Sequence, residues 1–217
     1  MFTGIIEGTG VIRDIRRGSR DFSIDVDTGS AIPDPRVGES VALDGVCLTV
    51  VSSRGAVLSF DVSPETINRT TLREARRGGE LNIERAMRLG DRVGGHLVSG
   101  HVDTVGELIR VTPSGAGHEI EVGLPVDGMK YIIEKGSIAI AGISLTVASK
   151  NERSITVAVI PHTWEVTTLK NLSTGSTVNI EYDMISKYVE NFVKTSGRAG
   201  GGVDMDFLSR HGFTKGK

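Results

Sequence analysis

One strand-like phrase occurs twice in this chain. Residues 44–50 read DGVCLTV and residues 141–147 read AGISLTV, an offset of 97 positions. Four of the seven letters are identical, and the changes at Val46/Ile143 and Cys47/Ser144 conserve volume approximately. A period this long is not that of a solenoid, so the repetition points to a duplicated domain.

Other segments repeat in the same order, which excludes chance similarity between two common strands. With a single slip of one residue near the start, the matching pairs are 3–10 with 99–106, 64–72 with 161–169, and 78–84 with 175–181. We therefore expect two homologous units at 1–96 and 97–183. The remainder divides into a helix at 184–195 and a flexible, glycine-rich tail at 196–217.

Within each unit the hydrophobic pattern is that of short β-strands. Apolar residues alternate with polar ones in FSIDVD (22–27), VLSFDV (57–62) and ITVAV (155–159). Turn residues separate these runs, which indicates an antiparallel sandwich or a closed barrel of five or six strands. Proline before 65–74 and before 163–172 predicts one short helix at each place. After Asp183, a candidate N-cap, apolar residues recur at helical spacing, so the last helix has one apolar face.

Composition excludes several classes of function. The net charge of −2 gives no reason to expect a nucleic-acid or membrane partner. The single cysteine cannot form an internal disulfide, and the N-terminal residues lack the features of a signal peptide. We therefore expect a cytoplasmic protein.

The repeated phrase carries small polar side chains on one strand face. Cys47 and Thr49 share that face in the first unit, and Ser144 and Thr146 share it in the second. This pattern favours a polar ligand in each unit. The histidines of GGHLVSGH (94–101) have too few partners at suitable spacing for a zinc site, so no metal is expected, and no phosphate-binding motif is present.

Five segments in this order resemble the α chain of the riboflavin synthase family, whose members contain lumazine-binding repeats. The segments are MFTGIIEGTG, DGVCLTV, GGHLVSGHVD, KGSIAIAGISLTV and IPHTWEVTTL. The resemblance covers about residues 1–195 and implies an all-β fold: two tandem six-stranded Greek-key barrels followed by a C-terminal amphipathic α-helix that joins a homotrimer. It also implies a transferase without metal or cofactor. Two 6,7-dimethyl-8-ribityllumazine molecules would yield riboflavin and 5-amino-6-ribitylamino-uracil by four-carbon transfer. The sequence leaves open an association with lumazine synthase.

The resemblance also implies a set of ligand-binding residues, carried over position by position. For the first barrel they are Gly4, Ile5, Ile6, Cys47, Leu48, Thr49, Asp61, Val62, Ser63, Pro64, Glu65 and Thr66. For the second barrel they are Gly100, His101, Val102, Lys135, Ser144, Leu145, Thr146, Ile160, Pro161, His162, Thr163, Trp164 and Glu165.

The same resemblance suggests catalytic roles. His101 is expected to move a proton, since imidazole titrates near neutral pH. Ser40, Cys47 and Ser144 are expected to assist addition of a nucleophile, and Lys135 to bind polar edges of the ligand. Many family members have an acidic residue where this chain has Ala141; if that carboxylate takes part in the chemistry, either turnover is slow here or Asp183 substitutes for it.

Two other functions compete with the enzyme. One is a protein of the same fold that binds lumazine or flavin without turnover, and the other is a structural β-barrel without a ligand. His96 and His101 favour the enzyme, because the non-catalytic relatives lose the histidine-bearing junction, whereas Ala141 favours the binder.

Overall fold

The computed structural model describes residues 1–18 and 22–198, and the side chains of residues 196–198 are excluded from the description. Most of the predicted tail, residues 199–217, lies outside the described residues. Among the described helices, none has the length and apolar character required to cross a bilayer.

Two closed antiparallel β-barrels of six strands each follow one another along the chain, which confirms the predicted fold class. The strand order of the first barrel is β1-β2-β5-β4-β3-β6, and the second repeats it with β7 to β12. The first-barrel strands are β1 (Gly8–Arg17), β2 (Phe22–Asp27), β3 (Ser40–Leu43), β4 (Val46–Arg54), β5 (Val57–Val62) and β6 (Glu80–Arg85). Those of the second are β7 (Thr104–Ser114), β8 (Gly117–Gly123), β9 (Ser137–Ile140), β10 (Ile143–Lys150), β11 (Ser154–Val159) and β12 (Thr177–Tyr182).

Each barrel has its own apolar interior, supplied by the alternating positions of its strands. In β4, for example, Val46, Leu48 and Val50 are buried while Cys47 and Thr49 point away from the interior. Branched side chains such as Ile24, Val26 and Ile83 fill the first barrel, and Ile120, Ile138 and Ile180 the second. Burying such side chains is the main favourable term in the folding of each barrel.

The two predicted short helices are each divided by a threonine. In the first unit, α1 (Pro64–Arg69) is followed by a 3-10 helix at Thr71–Glu74; in the second, α2 (Pro161–Val166) is followed by one at Thr168–Asn171. Thr70 and Thr167 have extended backbones between these helices. Because each threonine hydroxyl accepts a hydrogen bond from the amide two residues later, it caps the second helix instead of continuing the first. Another 3-10 helix, Val126–Tyr131, links β8 to β9.

Reciprocal asparagines join the two barrels. Asn82 of β6 donates from Nδ2 to the carbonyl of Ala141 at 3.0 Å, and its Oδ1 accepts from the Thr168 amide at 2.8 Å. Asn179 of β12 makes the equivalent bonds in the other direction, to the carbonyl of Asp44 at 2.9 Å and from the Thr71 amide at 2.8 Å. The barrels therefore pack about an approximate two-fold relation. Residues 1–184 form one compact unit.

The C-terminal helix, α3, spans Met184–Arg198 and belongs to a second unit, residues 185–217. It begins directly after Asp183 and continues three residues into the stretch predicted as a flexible tail. The apolar stripe predicted from its sequence is present: Ile185, Tyr188, Val189, Phe192 and Val193 are all more than half exposed in the single chain.

Candidate functional site

The polar residues of the repeated phrase lie on the outer wall of each barrel. In the first barrel, Cys47 is half-buried and Thr49 is exposed; in the second, Ser144 and Thr146 have the same two environments. Ser40 pairs with Thr49 across the β3–β4 ladder, and so lies beside them. The predicted common face is therefore real, and it faces away from the apolar interior.

The side chains of Leu48, Val62 and Leu145 belong to the barrel cores. All three are among the ligand-binding residues that the resemblance implies. Since their side chains fill the barrel interiors, only their main-chain groups can contact a ligand on the outer wall.

Two loops, residues 3–6 and 99–102, each reach from one barrel to the other, and we call them the exchanged loops. The carbonyl of Gly4 accepts a hydrogen bond from the Ser144 amide at 2.7 Å, and the carbonyl of Gly100 accepts one from the Cys47 amide at 2.9 Å. Ile6 packs against the core of the second barrel and Val102 against that of the first. The sequence assigned residues 4–6 to the first barrel and 100–102 to the second. In the structure each loop contacts both barrels, because the Gly4 amide also donates to Glu84 of the first barrel and the Gly100 amide to Glu181 of the second.

Both loops require glycine where they cross. Gly4 has φ +74° and Gly100 has φ +80°, a region that residues with a side chain rarely adopt. A Cβ on Gly4 would lie 2.6 Å from Ser144 Cβ, and one on Gly100 would lie 2.5 Å from Cys47 Cβ. Gly4 and Gly100, which correspond to each other in the two copies, thus allow the loop backbone to contact Ser144 and Cys47 directly.

The side chain of His96 lies within hydrogen-bond distance of the Ser144 hydroxyl. Its Nδ1 lies 2.7 Å from Ser144 Oγ, and its backbone amide donates to the Thr3 carbonyl. Burial lowers the pKa of His96 below its usual value, although the carboxylates of Asp183 and Glu181 act in the opposite direction. A neutral imidazole can accept the serine proton, so this pair is suited to acid–base chemistry.

The remaining predicted residues lie around this framework. Ser63 caps α1 by accepting from the Thr66 amide at 3.1 Å, and Asp61, Pro64 and Glu65 are exposed beside it. The register of β4 with β5 pairs Val50 with Phe60, which places the end of β5 level with Leu48. Segment 61–66 therefore starts next to the Cys47–Thr49 wall.

The second barrel repeats this arrangement with segment 160–165. Val147 pairs with Val157, which brings the end of β11 level with Leu145. Ile160, Pro161, His162 and Glu165 are exposed there, and Thr163 is partly buried. Trp164 is also partly buried and stacks on His118 with the ring centroids 3.9 Å apart.

Three other predicted residues have separate settings. His101 is exposed in the exchanged loop, where its amide donates to Glu181. Lys135 is exposed with φ +63° at the start of the β9 region, and its amide donates to the Val147 carbonyl. Asp183 ends the second barrel and influences His96 electrostatically.

Position 141 belongs to a turn of the second barrel that lies against the first barrel. Ala141 and Gly142 connect β9 to β10, as Asp44 and Gly45 connect β3 to β4. Ala141 has φ +48° and Asp44 has φ +44°. The Asp44 carboxylate accepts from the Asn82 amide at 2.7 Å, a bond within the first barrel.

Sequence reasoning missed two buried glutamates, Glu84 and Glu181. Both accept several hydrogen bonds from the exchanged loops. The sequence contains a signal for them, because Asn-Ile-Glu is identical in the two copies.

Comparison with known proteins agrees with this architecture. The model of the lumazine binding domain matches residues 3–86 and 99–183. The chain belongs to the lumazine binding domain family. This confirms the resemblance inferred from the sequence.

Among its relatives is the riboflavin synthase of Photobacterium leiognathi, 43% identical over 98% of this chain and 99% of that protein. The riboflavin synthase of Actinobacillus pleuropneumoniae is 40% identical over 98% of this chain and all of the relative. The solved structure of LumP complexed with riboflavin superposes with a TM-score of 0.78 at 27% identity, over 84% of this chain and 99% of LumP. LumP complexed with 6,7-dimethyl-8-(1'-D-ribityl) lumazine gives 0.76 at 26% identity, with the same coverage.

Proposed function

We propose that the chain is a riboflavin synthase, a transferase that converts two molecules of 6,7-dimethyl-8-ribityllumazine into riboflavin and 5-amino-6-ribitylamino-uracil. The observation that carries this proposal is the pair of equivalent strand faces, Cys47–Thr49 and Ser144–Thr146, on two barrels of one chain. A reaction that consumes two copies of one substrate can use two copies of one binding domain. The full-length similarity to riboflavin synthases supports the same conclusion.

The main contribution to the rate is orientation of the two substrates. Holding two reactants in a productive arrangement makes a bimolecular step effectively unimolecular and can contribute about 7–11 kcal/mol. We assign to main-chain groups of 47–49 and 144–146 the binding of the edge of each heterocycle, as the resemblance implies. The exchanged loops carry Ile5 and His101 next to these edges.

The two sites differ in their chemistry. The second barrel combines Ser144 with the buried His96, whose lowered pKa keeps it neutral near neutral pH. The first barrel has Cys47, with His101 in the loop that covers it. We assign the His96–Ser144 pair to proton removal and nucleophile positioning at one lumazine, and His101 to proton transfer at the other.

The assembly completes the proposal. The apolar stripe of α3 is exposed in the single chain, and a second and third copy of the same helix would cover it in a homotrimer. In such an assembly the first barrel of one subunit faces the second barrel of its neighbour, so that two lumazines meet between them. A cytoplasmic location fits the single cysteine and is tested by cell fractionation.

Turnover with the purified protein tests the function. Incubation with 6,7-dimethyl-8-ribityllumazine and no added metal should give yellow-green riboflavin fluorescence, with one riboflavin for every two substrates consumed. Ser144→Ala should lower kcat by about 10²-fold, in the range for loss of acid–base assistance. Ser149→Ala is the matched control, because Ser149 is an exposed serine of the same strand.

The alternative is a protein that binds lumazine or flavin without turnover. It is favoured by the similarity to LumP, which is seen in complex with both ligands. Stoichiometric binding of the substrate with no riboflavin formed would support this alternative and contradict the enzyme.

A further inference from the structure

Two buried glutamates have no cationic partner among the described residues. Glu84 ends the Asn-Ile-Glu phrase of β6, and Glu181 ends that of β12; both side chains are almost completely buried. A buried carboxylate is costly unless it is hydrogen-bonded. Here the compensation comes from the amides and hydroxyls of one short loop for each glutamate.

The contacts of Glu181 are all made with residues 99–101. Its Oε1 accepts from the Ser99 amide at 2.6 Å and from the Ser99 hydroxyl at 2.7 Å. Its Oε2 accepts from the Gly100 amide at 2.9 Å and from the His101 amide at 3.1 Å. The carboxylate therefore determines where Gly100 and His101 lie.

Glu84 holds the loop of the other copy in the same way. Its Oε1 accepts from the Thr3 amide at 2.6 Å and from the Thr3 hydroxyl at 2.7 Å, and its Oε2 accepts from the Gly4 amide at 3.0 Å. Each carboxylate lies in one barrel, but the loop that it holds presents its carbonyl to the other barrel, at Ser144 or at Cys47.

We propose that Glu181, a residue of the second barrel, is a positioning residue for the Cys47 site of the first barrel, and that Glu84 of the first barrel has the same role for the Ser144 site of the second. This inference deepens the proposed function, on which it rests for the identity of the ligand. Neither glutamate touches the substrate; each acts through the backbone of a loop.

The single cysteine of the chain reports on one of the two sites. Cys47 is half-buried, and the backbone at Gly100 lies directly over its side chain. Glu181→Gln keeps the size of the side chain but replaces one acceptor oxygen with an amide group that cannot accept. The loop at 99–101 should loosen, and Cys47 should become more accessible.

The test measures the rate at which Cys47 reacts with a disulfide reagent such as DTNB in the folded protein. Glu181→Gln should raise that rate about ten-fold or more, the size expected when charge-assisted hydrogen bonds are lost. Glu84→Gln is the matched control, since it makes the same change at the equivalent position of the other loop, and should alter the rate by less than about two-fold. Saturating riboflavin should slow the reaction in the unchanged protein and in Glu84→Gln far more than in Glu181→Gln.

A milder pair of variants applies if Glu181→Gln does not fold. Ser99→Ala removes one donor to Glu181 and the hydroxyl that accepts from the His101 amide at 3.2 Å. It should raise Cys47 reactivity, whereas Thr3→Ala, the equivalent change, should not. Circular dichroism establishes that each variant is folded.

Equal acceleration by the changes at both glutamates would overturn the inference, because it would show general loosening and no selective support. Unchanged Cys47 reactivity in folded Glu181→Gln or Ser99→Ala would also overturn it. The thiol measurement needs no turnover, so the proposed function can fail separately. A protein that forms no riboflavin but shows the Glu181-selective effect would contradict the enzyme and support the positioning role.

Discussion

Single residues at the barrel junction have unusual environments. Asp44 has a left-handed backbone and accepts a hydrogen bond from Asn82 in a region where part of its surface remains accessible. Burial nevertheless raises the pKa of Asp44 to about 7. The ionised carboxylate is therefore disfavoured by folding, and the residue acts against stability at neutral pH.

The sign of this effect gives a pH-dependent prediction. Because the folded pKa of Asp44 is above its unfolded value near 3.9, its contribution to the free energy of unfolding falls as pH rises from about 4 to 7. Asp44→Asn keeps the acceptor and suits the turn, so it should raise that free energy by about 1–2 kcal/mol at pH 8 and little at pH 4. Urea unfolding at both pH values measures the difference.

Asp34→Asn is the control for Asp44→Asn. Asp34 is exposed and has φ +53°, so it tests the turn preference without the burial. A gain at pH 8 that is equal for the two variants would contradict the assignment to desolvation.

Tyr182 offers a second prediction for a single residue. Its side chain is buried in the second barrel, and its hydroxyl has no hydrogen-bond partner within the described residues. Burial is the main reason that the pKa of Tyr182 is raised to about 12. Tyr182→Phe should therefore raise the free energy of unfolding by about 1 kcal/mol, measured with urea at pH 7. Tyr131→Phe, which changes the ring stacked on Tyr182, should change the free energy of unfolding less than Tyr182→Phe does.

At the scale of elements, the two turns before the repeated phrases decide how closely the barrels pack. Gly45 and Gly142 have φ +80° and +79° and lie against each other. A Cβ on Gly45 would lie 2.8 Å from the Gly142 amide nitrogen, and a Cβ on Gly142 would lie 2.7 Å from that of Gly45. Both turns must therefore be free of side chains at the same position.

Gly45→Ala should lower the free energy of unfolding by about 3 kcal/mol or more, through backbone strain together with a collision between the barrels. Gly55→Ala separates the two causes, since Gly55 has φ +62° in the β4–β5 turn and no atom within 4 Å of its Cβ position. That control should cost about 1 kcal/mol, for strain alone. Chemical denaturation measures both variants. A similar decrease in the free energy of unfolding for the two would show that a side chain at Gly45 does not collide with the other turn.

For the whole molecule, the exposed stripe of α3 leads to a prediction about assembly. Tyr188 and Phe192 are each more than two-thirds exposed in the single chain. The proposed homotrimer predicts that changing both to serine gives monomers in sedimentation velocity and greatly reduces turnover, because the proposed facing barrel of the neighbour is then lost. Deletion of 184–217 should have the same result. A fully active monomer would exclude a site shared between subunits.

The duplication, the strand content and the resemblance to the family could be taken from the sequence because each depends on local patterns. Alternation with period two defines the strands, and the constant offset defines the copies. The apolar stripe of α3 follows from spacing alone. Local signals also identified Cys47, Thr49, Ser144 and Thr146 as one face of equivalent strands.

Only the tertiary structure decided which loop serves which barrel. The exchange of Gly4 and Gly100 between barrels, the bond of His96 to Ser144, and the role of the Asn-Ile-Glu phrases depend on contacts between residues about 50 to 140 positions apart. Such contacts are set by how two closed barrels pack about an approximate two-fold relation, and no pattern along the chain encodes that packing. The sequence therefore determined the parts and their duplication, whereas packing determined the site, because a hydrogen bond between distant segments exists only once both barrels have closed.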